Sequence, residues 1–237
     1  MKVIDFHSHI LPGIDDGSRD VGTSLAMLSE AKKQGVDVMI ATPHFYAWEE
    51  RMDDFLAKRE AACEALFSEK PKTSPDILVG AEVAFFEGIS RAEQTDELTV
   101  EGTNLIMIEM PFRLWRAAEV DEVAYLSEHR GKTVILAHLE RYLGFSENKK
   151  LIKTMLDMPF LVQINAEALL DRHLRGKAIK LFKKGQAHLL GSDCHGMHRR
   201  PPNLAEGREV IKKHLGDAYL ETIDRTGAEL IKDVSHA

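Results

Sequence analysis

Five of the eleven histidines in this chain stand in short segments that each close an apolar run: Asp5-Phe6-His7-Ser8-His9, Thr42-Pro43-His44, Ala137-His138-Leu139-Glu140-Arg141 and Ser192-Asp193-Cys194-His195. Imidazole nitrogen is a common ligand for divalent cations, and a His-x-His pair at a strand end points both rings to the same side. Carboxylates recur at equivalent places, because Ile77-Leu78-Val79-Gly80-Ala81 leads to Glu82 and Leu105-Ile106-Met107-Ile108 leads to Glu109. With Leu161-Val162-Gln163-Ile164 before Asn165 and His188-Leu189-Leu190-Gly191 before Asp193, seven apolar runs end in polar groups. That pattern reads as one metal site assembled from several strand ends. His129, His173, His188, His198, His214 and His236 lack such a setting and are read as hydrogen-bonded or exposed histidines.

Positioning seven such ends requires a regular frame. Helix-like segments separate the runs, about Val21 to Gln34, Glu49 to Glu69, Ala117 to His129, Asn148 to Leu156, Leu174 to Gly185 and Leu204 to Leu215. Short apolar runs alternating with amphipathic helices predict βα units around parallel strands, buried on both faces and hence continuously apolar. In barrels of this class the catalytic groups gather at the C-terminal strand ends, where the loops share one mouth. Asp20 or Thr23 is placed to cap the first helix and Gly35 to close it. The second helix carries Met52, Phe55, Leu56, Ala62, Cys63, Leu66 and Phe67 near a 3.6-residue period, with its charged face toward solvent.

At 237 residues and 44% hydrophobic content the chain can bury one sizeable core, so a single α/β domain over 1–237 is expected. No apolar stretch approaches the roughly 20 residues of a membrane span, and the two cysteines, Cys63 and Cys194, make no disulfide framework. A cytoplasmic location without membrane insertion is the default. The net charge of −7 disfavours nonspecific nucleic-acid binding.

The constellation resembles the PHP superfamily, named for polymerase and histidinol phosphatase, and within it the manganese-dependent bacterial protein-tyrosine phosphatases of capsule and exopolysaccharide loci. The resemblance rests on the run from His7 through Ser8-His9-Ile10-Leu11-Pro12-Gly13-Ile14-Asp15-Asp16 to Gly17. It rests further on Ala41-Thr42-Pro43-His44, Gly80-Ala81-Glu82, His138-Leu139-Glu140-Arg141-Tyr142 and Ser192-Asp193-Cys194-His195 with Arg200-Pro201-Pro202. It implies a distorted seven-stranded (β/α) barrel with three divalent ions, Mn²⁺ first and Fe or Zn²⁺ as alternatives. One ion would be held by His7, His9, Glu82 and Asp193, and a second by Glu82, Glu109 and His138. A third would take His44, His195 and either Asp15 or Asp16, the other aspartate orienting the loop. Arg141 and Arg200 would grip phosphate. The implied partner is a tyrosine-phosphorylated protein, such as the tail of a bacterial tyrosine kinase controlling capsule or exopolysaccharide synthesis. Oligomers remain compatible with this reading.

The implied charges suit phosphate. Three divalent ions bring about +6 against about −4 from Asp16, Glu82, Glu109 and Asp193, and a phosphomonoester dianion offsets the remainder of about +2. A tyrosyl leaving group, with a pKa near 10, needs less help from a general acid than an alkyl alcohol does. Phe45, Tyr46 and Trp48 after His44, and Phe112 and Trp115 after Glu109, are candidates to line the mouth against an aromatic ring. Cys194 and Arg200 also fit the C-x5-R spacing of cysteine-dependent phosphatases, but Pro201 lacks the N–H that such a phosphate loop needs, and Cys194 is read as a small buried thiol. A small-molecule phosphomonoesterase of the histidinol-phosphatase kind, a metal-dependent amidohydrolase and a non-catalytic metal-binding regulatory domain are the alternatives.

Overall fold

The computed structural model describes residues 1–234, so His236 lies outside the described residues. The elements in order are β1 (Ile4–Ser8), α1 (Val21–Lys33), β2 (Val38–Ala41), β3 (His44–Phe45), α2 (Met52–Glu69), β4 (Asp76–Val79), β5 (Glu82–Ala84), β6 (Leu105–Glu109) and α3 (Ala117–His129). There follow β7 (Thr133–Leu136), α4 (Lys149–Leu156), β8 (Leu161–Asn165), α5 (Ala166–Leu170), α6 (Arg175–Lys183), β9 (Leu189–Gly191), α7 (Leu204–Leu215) and α8 (Asp217–Leu230). All strand pairs are parallel, in a three-stranded sheet of order β1-β2-β4 and a six-stranded sheet of order β3-β5-β6-β7-β8-β9. An isolated parallel bridge between Ser8 and Cys194 links the first sheet to the end of the second. The result is an α/β fold with a curled parallel sheet.

Seven expected runs become nine strands because two of them break. Pro43 separates β2 from β3, and Gly80-Ala81 separates β4 from β5, so His44 and Glu82 open short strands instead of following finished ones. Proline has no N–H to donate to a ladder. Its carbonyl still accepts from Glu82 N at 3.0 Å, and Gly80 N donates to Ala41 O at 2.8 Å, so the chain path stays in register across the breaks. Arg59 of α2 donates to the Gly80 carbonyl at 3.0 Å and fastens the outer helix to the second break.

Strand alternation divides the core into two layers. Ile4, Phe6, Val38, Ile40, Leu105, Met107, Ile135 and Leu189 point into the curl of the sheet, where Ile231 after α8 joins them. Ile106, Ile108, Val134, Leu136, Val162 and Ile164 point outward against Leu28, Phe55, Val123 and Phe182 of the helices. Asp20 caps α1 by accepting from Thr23 N at 2.7 Å, and Gly35 follows with φ +80°, a conformation glycine takes without a Cβ clash. On α2, Phe55, Ala62 and Leu66 are buried as the period requires, whereas Phe67 faces solvent and Glu49 and Glu50 stay outside the helix. The sequence reading did not include α5 or α8. Among the described residues no helix is long and apolar enough to cross a membrane.

Candidate metal centre

Each polar residue expected at a strand end reaches the same side of the sheet. His7 sits in β1 and His9 just beyond it, both fully buried, with their Nε2 atoms 3.1 Å apart. Glu82 lies in the middle. Its Oε2 is 3.2 Å from His7 Nε2, 3.4 Å from His9 Nε2 and 2.9 Å from His44 Nδ1, and its Oε1 is 2.7 Å from His138 Nε2. Glu109 Oε1 lies 3.3 Å from His138 Nε2. Asp193 Oδ1 is 3.6 Å from His7 Nε2 and 3.4 Å from His9 Nε2.

The aspartate pair divides its work. Asp15 Oδ2 accepts from His9 Nδ1 at 2.7 Å and from His44 N at 3.0 Å, while its Oδ1 accepts from Gly17 N at 2.9 Å. Asp16 Oδ1 faces His44 Nε2 at 3.4 Å and His195 Nε2 at 3.3 Å. Donor atoms of His9, Asp16, His44 and His195 gather within 4.8 Å of one another, as do those of His7, His9 and Glu82, and those of His44, Glu82 and Glu109. His9 and His44 therefore each belong to two groups, where the sequence assigned each to one.

Three of the imidazoles share one polarity. His7 Nδ1 donates to Gln163 Oε1 at 3.1 Å, His9 Nδ1 to Asp15, and His195 Nδ1 to the Asp193 carbonyl at 2.8 Å. Each of those oxygens can only accept, so each ring turns its Nε2 toward the common centre, the usual arrangement when a hydrogen-bond acceptor behind the ring orients a metal-binding histidine. Among the described residues, His44 Nδ1, Glu82 Oε2, His138 Nδ1 and His195 Nε2 are buried with no hydrogen-bond partner. Buried polar atoms are normally paired. Apart from His138 Nδ1, these unpaired atoms face other nitrogen and oxygen donors a few ångströms away, and the mixed imidazole and carboxylate set fits divalent first-row ions.

Electrostatics agree. Burial alone would discharge Glu82 and Asp193, but the neighbouring histidines, with Arg141 beside Asp193, hold both well below the usual carboxylate range. Burial also opposes a charge on His9, yet the hydrogen bonds it donates to the Asp15, Asp193 and Glu82 carboxylates raise it well above its ordinary value. His195 moves the other way, to about 4, through burial and the nearby charge of His9. The centre is rich in negative charge and favours positive charge on His9 and His138.

Among the described residues, the non-glycine positions with positive φ are His138 at 32°, Asp193 at 52° and Arg200 at 49°. Strained backbone of this kind costs about 1–3 kcal/mol per residue and persists only where the surroundings over-determine it. All three are expected site residues. Gly191 is required for a different reason, since a Cβ there would lie 2.6 Å from His7 Cβ and 2.8 Å from Gln163 Nε2. Gly191→Ala will push His7 off its place, lowering stability by about 1–3 kcal/mol in urea unfolding and lowering bound metal with it. Wild-type values for both would remove this glycine from the site.

Arg141 is delivered by the 3₁₀ turn Leu139–Gly144. Its Nη2 contacts Asp193 Oδ2, and Arg200 Nη1 reaches both Asp193 oxygens at 3.4 Å while its Nη2 is 3.3 Å from Asp16. Both arginines border a cavity of about 480 Å³ with His44, Tyr46, Trp48 and Phe112. Trp48 is 63% exposed and Phe112 50% exposed, Tyr46 stacks on His44, and Phe112 stacks on His138. Phe45 and Trp115, also candidates for the mouth, go to the core instead. Strand alternation turns Phe45 away from His44 and onto Phe55, while Trp115 packs on Tyr142 and donates its Nε1–H to the Pro111 carbonyl at 2.8 Å.

Cys194 is fully buried, and burial with the charge of Asp5 pushes its thiol well above the ordinary range. A thiol so protonated is no nucleophile. Sequence reasoning missed Gln163. Its Oε1 accepts from His7 and from His138 N at 2.8 Å, and its amide donates to Asn165 Oδ1 at 2.8 Å, whose own amide donates to Asp193 Oδ2 at 2.8 Å. The signal was a polar residue inside an otherwise apolar strand, two positions before Asn165 and so on the same face. The other histidines stay apart. His188 Nδ1 accepts from Val162 N at 3.0 Å, and His129, His173, His198 and His214 are exposed.

Comparison with known proteins adds the relationship. The model of a family described as capsular polysaccharide synthesis, CpsB/CapC, matches residues 3–232. The tyrosine-protein phosphatase CpsB of Streptococcus pneumoniae is 27% identical over 239 residues, covering 90% of this chain and 91% of that protein. The tyrosine-protein phosphatase YwqE of Bacillus subtilis is 29% identical over 220 residues, covering 90% and 85%. A solved structure described among YwqE from Bacillus subtilis and CpsB from Streptococcus pneumoniae, unique metal-dependent tyrosine phosphatases, shares the fold with a TM-score of 0.82. It is 24% identical, over 99% of this chain and 96% of that one. A phosphotriesterase homology protein from Escherichia coli, solved with phosphate in its active site, shares it more distantly, with a TM-score of 0.58 and 12% identity over 97% and 98%.

Proposed function

The chain belongs to the CpsB/CapC family of capsular polysaccharide synthesis, and from that premise we propose that it is a metal-dependent protein-tyrosine phosphatase. The observation that carries this reading is the cluster of imidazole and carboxylate groups whose donor atoms gather within 4.8 Å of one another while the buried His44 Nδ1, Glu82 Oε2 and His195 Nε2 have no hydrogen-bond partner. His7, His9, Glu82 and Asp193 would hold one divalent ion, Glu82, Glu109 and His138 a second, and His44, His195 and Asp16 a third, with Mn²⁺ the assigned metal. Asp15, its oxygens already engaged by His9, His44 and Gly17, positions the ligands. Glu82, which faces histidines with both oxygens, would bridge. When bound, such ions activate water and neutralise phosphoryl oxygens.

The protein's own groups do the rest. Arg141 and Arg200, at the edge of the mouth, supply charge-assisted hydrogen bonds to the phosphoryl group. Tyr46, Trp48 and Phe112 present apolar faces to the substrate's ring. Water supplies the entering oxygen and the bond from phosphorus to the tyrosyl oxygen breaks, leaving inorganic phosphate and tyrosine. No residue is needed as strong acid, because a phenolate leaves readily. The exposed aromatic mouth favours an aryl ester over a small alkyl phosphate such as histidinol phosphate. We assign the phosphorylated tail of a bacterial tyrosine kinase as the physiological partner. The curled sheet is read as one distorted seven-stranded barrel of the PHP type, β2 with β3 and β4 with β5 counting as interrupted strands. The bridge between Ser8 and Cys194 supports its closure.

Exhaustive chelation will abolish phosphate release from phosphotyrosyl peptides and Mn²⁺ will restore it, with phosphoseryl peptides and small alkyl phosphomonoesters turned over far more slowly. Metal content measured on the same sample fixes the number of ions. Full activity in a metal-free preparation would reject this reading, and a preference for alkyl phosphates would move the substrate to the small-molecule class.

A further inference from the structure

Beside Arg141 lies a second cavity, of about 500 Å³, bordered by Glu140, Asn203, Glu167, Asp171 and Glu206. Glu140 is only 1% exposed and its Oε2 has no hydrogen-bond partner; its Oε1 receives one long contact, from Asn165 N at 3.4 Å. Asn203 is 8% exposed and its Oδ1 is likewise unpartnered. Two residues that line one pocket thus each carry a buried acceptor with nothing to accept from, and an unmet buried acceptor is costly. Around them, none of Glu140, Glu167, Asp171 and Glu206 forms an ion pair among the described residues. Arg141, the cation in the lining, is turned to Asp193.

Resting on the reading of this protein as a phosphoprotein phosphatase, we infer that the side pocket takes a lysine or arginine side chain of the substrate, a near neighbour of its phosphotyrosine. Acidic walls around unpartnered acceptors call for a cationic donor. Ala168, Leu170, Leu174 and Pro201 pave the same cavity, and its volume far exceeds a bare ion, so the occupant brings methylene groups as well as charge. Arg141 borders both this pocket and the aromatic mouth, which joins the two subsites through one residue.

The test uses phosphotyrosyl peptides in pairs, lysine against norleucine, at each of the positions flanking the phosphotyrosine. Turnover and equilibrium binding are both measured, with p-nitrophenyl phosphate as a reference for the chemistry. At one or two positions lysine will improve KM by about tenfold, as a charge-assisted contact allows. The advantage will collapse in Glu140→Gln and shrink in the exposed double variant Glu167→Gln/Glu206→Gln, which guards against a folding defect in the first. p-Nitrophenyl phosphate kinetics will stay within about twofold in the double variant. Equal binding of lysine and norleucine peptides at every position overturns the pocket, as does an advantage that survives both variants. So does activation by K⁺ or Na⁺ that depends on Glu140 without any lysine preference. Turnover of p-nitrophenyl phosphate with no phosphotyrosyl peptide cleaved would instead sink the phosphoprotein reading, while the binding arm still reports on the pocket.

Discussion

Asp193→Asn will lose bound metal and nearly all turnover, while Cys194→Ser, at the next position, will keep most of both. Asp193 turns one oxygen toward His7 and His9 and engages Arg141, Arg200 and Asn165 around it. An amide replaces one acceptor oxygen by two N–H donors that point at other donors, and it removes the charge that offsets two arginines and the bound cations. The loss expected is on the order of a thousandfold or more in kcat/KM, the several kcal/mol a catalytic metal supplies. Cys194 lies beneath the site with its thiol protonated, so serine there changes little beyond a buried hydrogen bond. Metal analysis and steady-state kinetics on both variants decide the matter. A phosphocysteine trapped on Cys194, or an inactive Cys194→Ser with metal and fold intact, would overturn it.

Arg141→Ala will lower kcat/KM by roughly ten- to a thousandfold, the range expected for losing a charge-assisted contact to the transferring phosphoryl group. Metal content will hold, because the residue's guanidinium reaches no proposed ion directly. Its contact with Asp193 gives the experiment a second edge. If the arginine served chiefly to position that carboxylate, the alanine variant would release metal and Arg141→Lys would restore it. If it grips phosphate through a planar fork, lysine will recover only part of the activity while metal stays bound in all three proteins. Wild-type kinetics in the alanine variant would leave the residue without a role in the reaction.

The candidate site was legible in the sequence wherever an apolar run ended in a polar residue, because a strand buried on both faces accommodates such residues most readily at its ends. His138, Glu109 and Asp193 follow that rule. His44 and Glu82 obeyed it through strands that break and resume, a detail that Pro43 and Gly80 announced but run length concealed. The choice between Asp15 and Asp16 was not legible, since two adjacent carboxylates differ only in where the loop aims them. Gln163 was missed because it stands mid-strand, where an apolar neighbour on each side masks it. Helix α8 was missed for a physical reason too. Gly216, at φ +88°, reads as the end of α7 and also begins the next helix, and Gly227 within α8 weakens the local signal while letting it lie against Phe6. The helix packs against α7, β9 and β1, partners that sequence alone does not display.

Removing phosphate from tyrosine without a reactive sulfur has a consequence beyond the chemistry itself. Enzymes that rely on a low-pKa, exposed thiolate are switched off by peroxide, which carries that sulfur to the sulfenic acid. Here Cys194 is buried beside β1 and held protonated, so peroxide finds no thiolate to attack at the point of catalysis. Dephosphorylation by this protein would therefore continue through an oxidative burst that silences thiol-based counterparts, and its vulnerability would shift to whatever deprives it of metal.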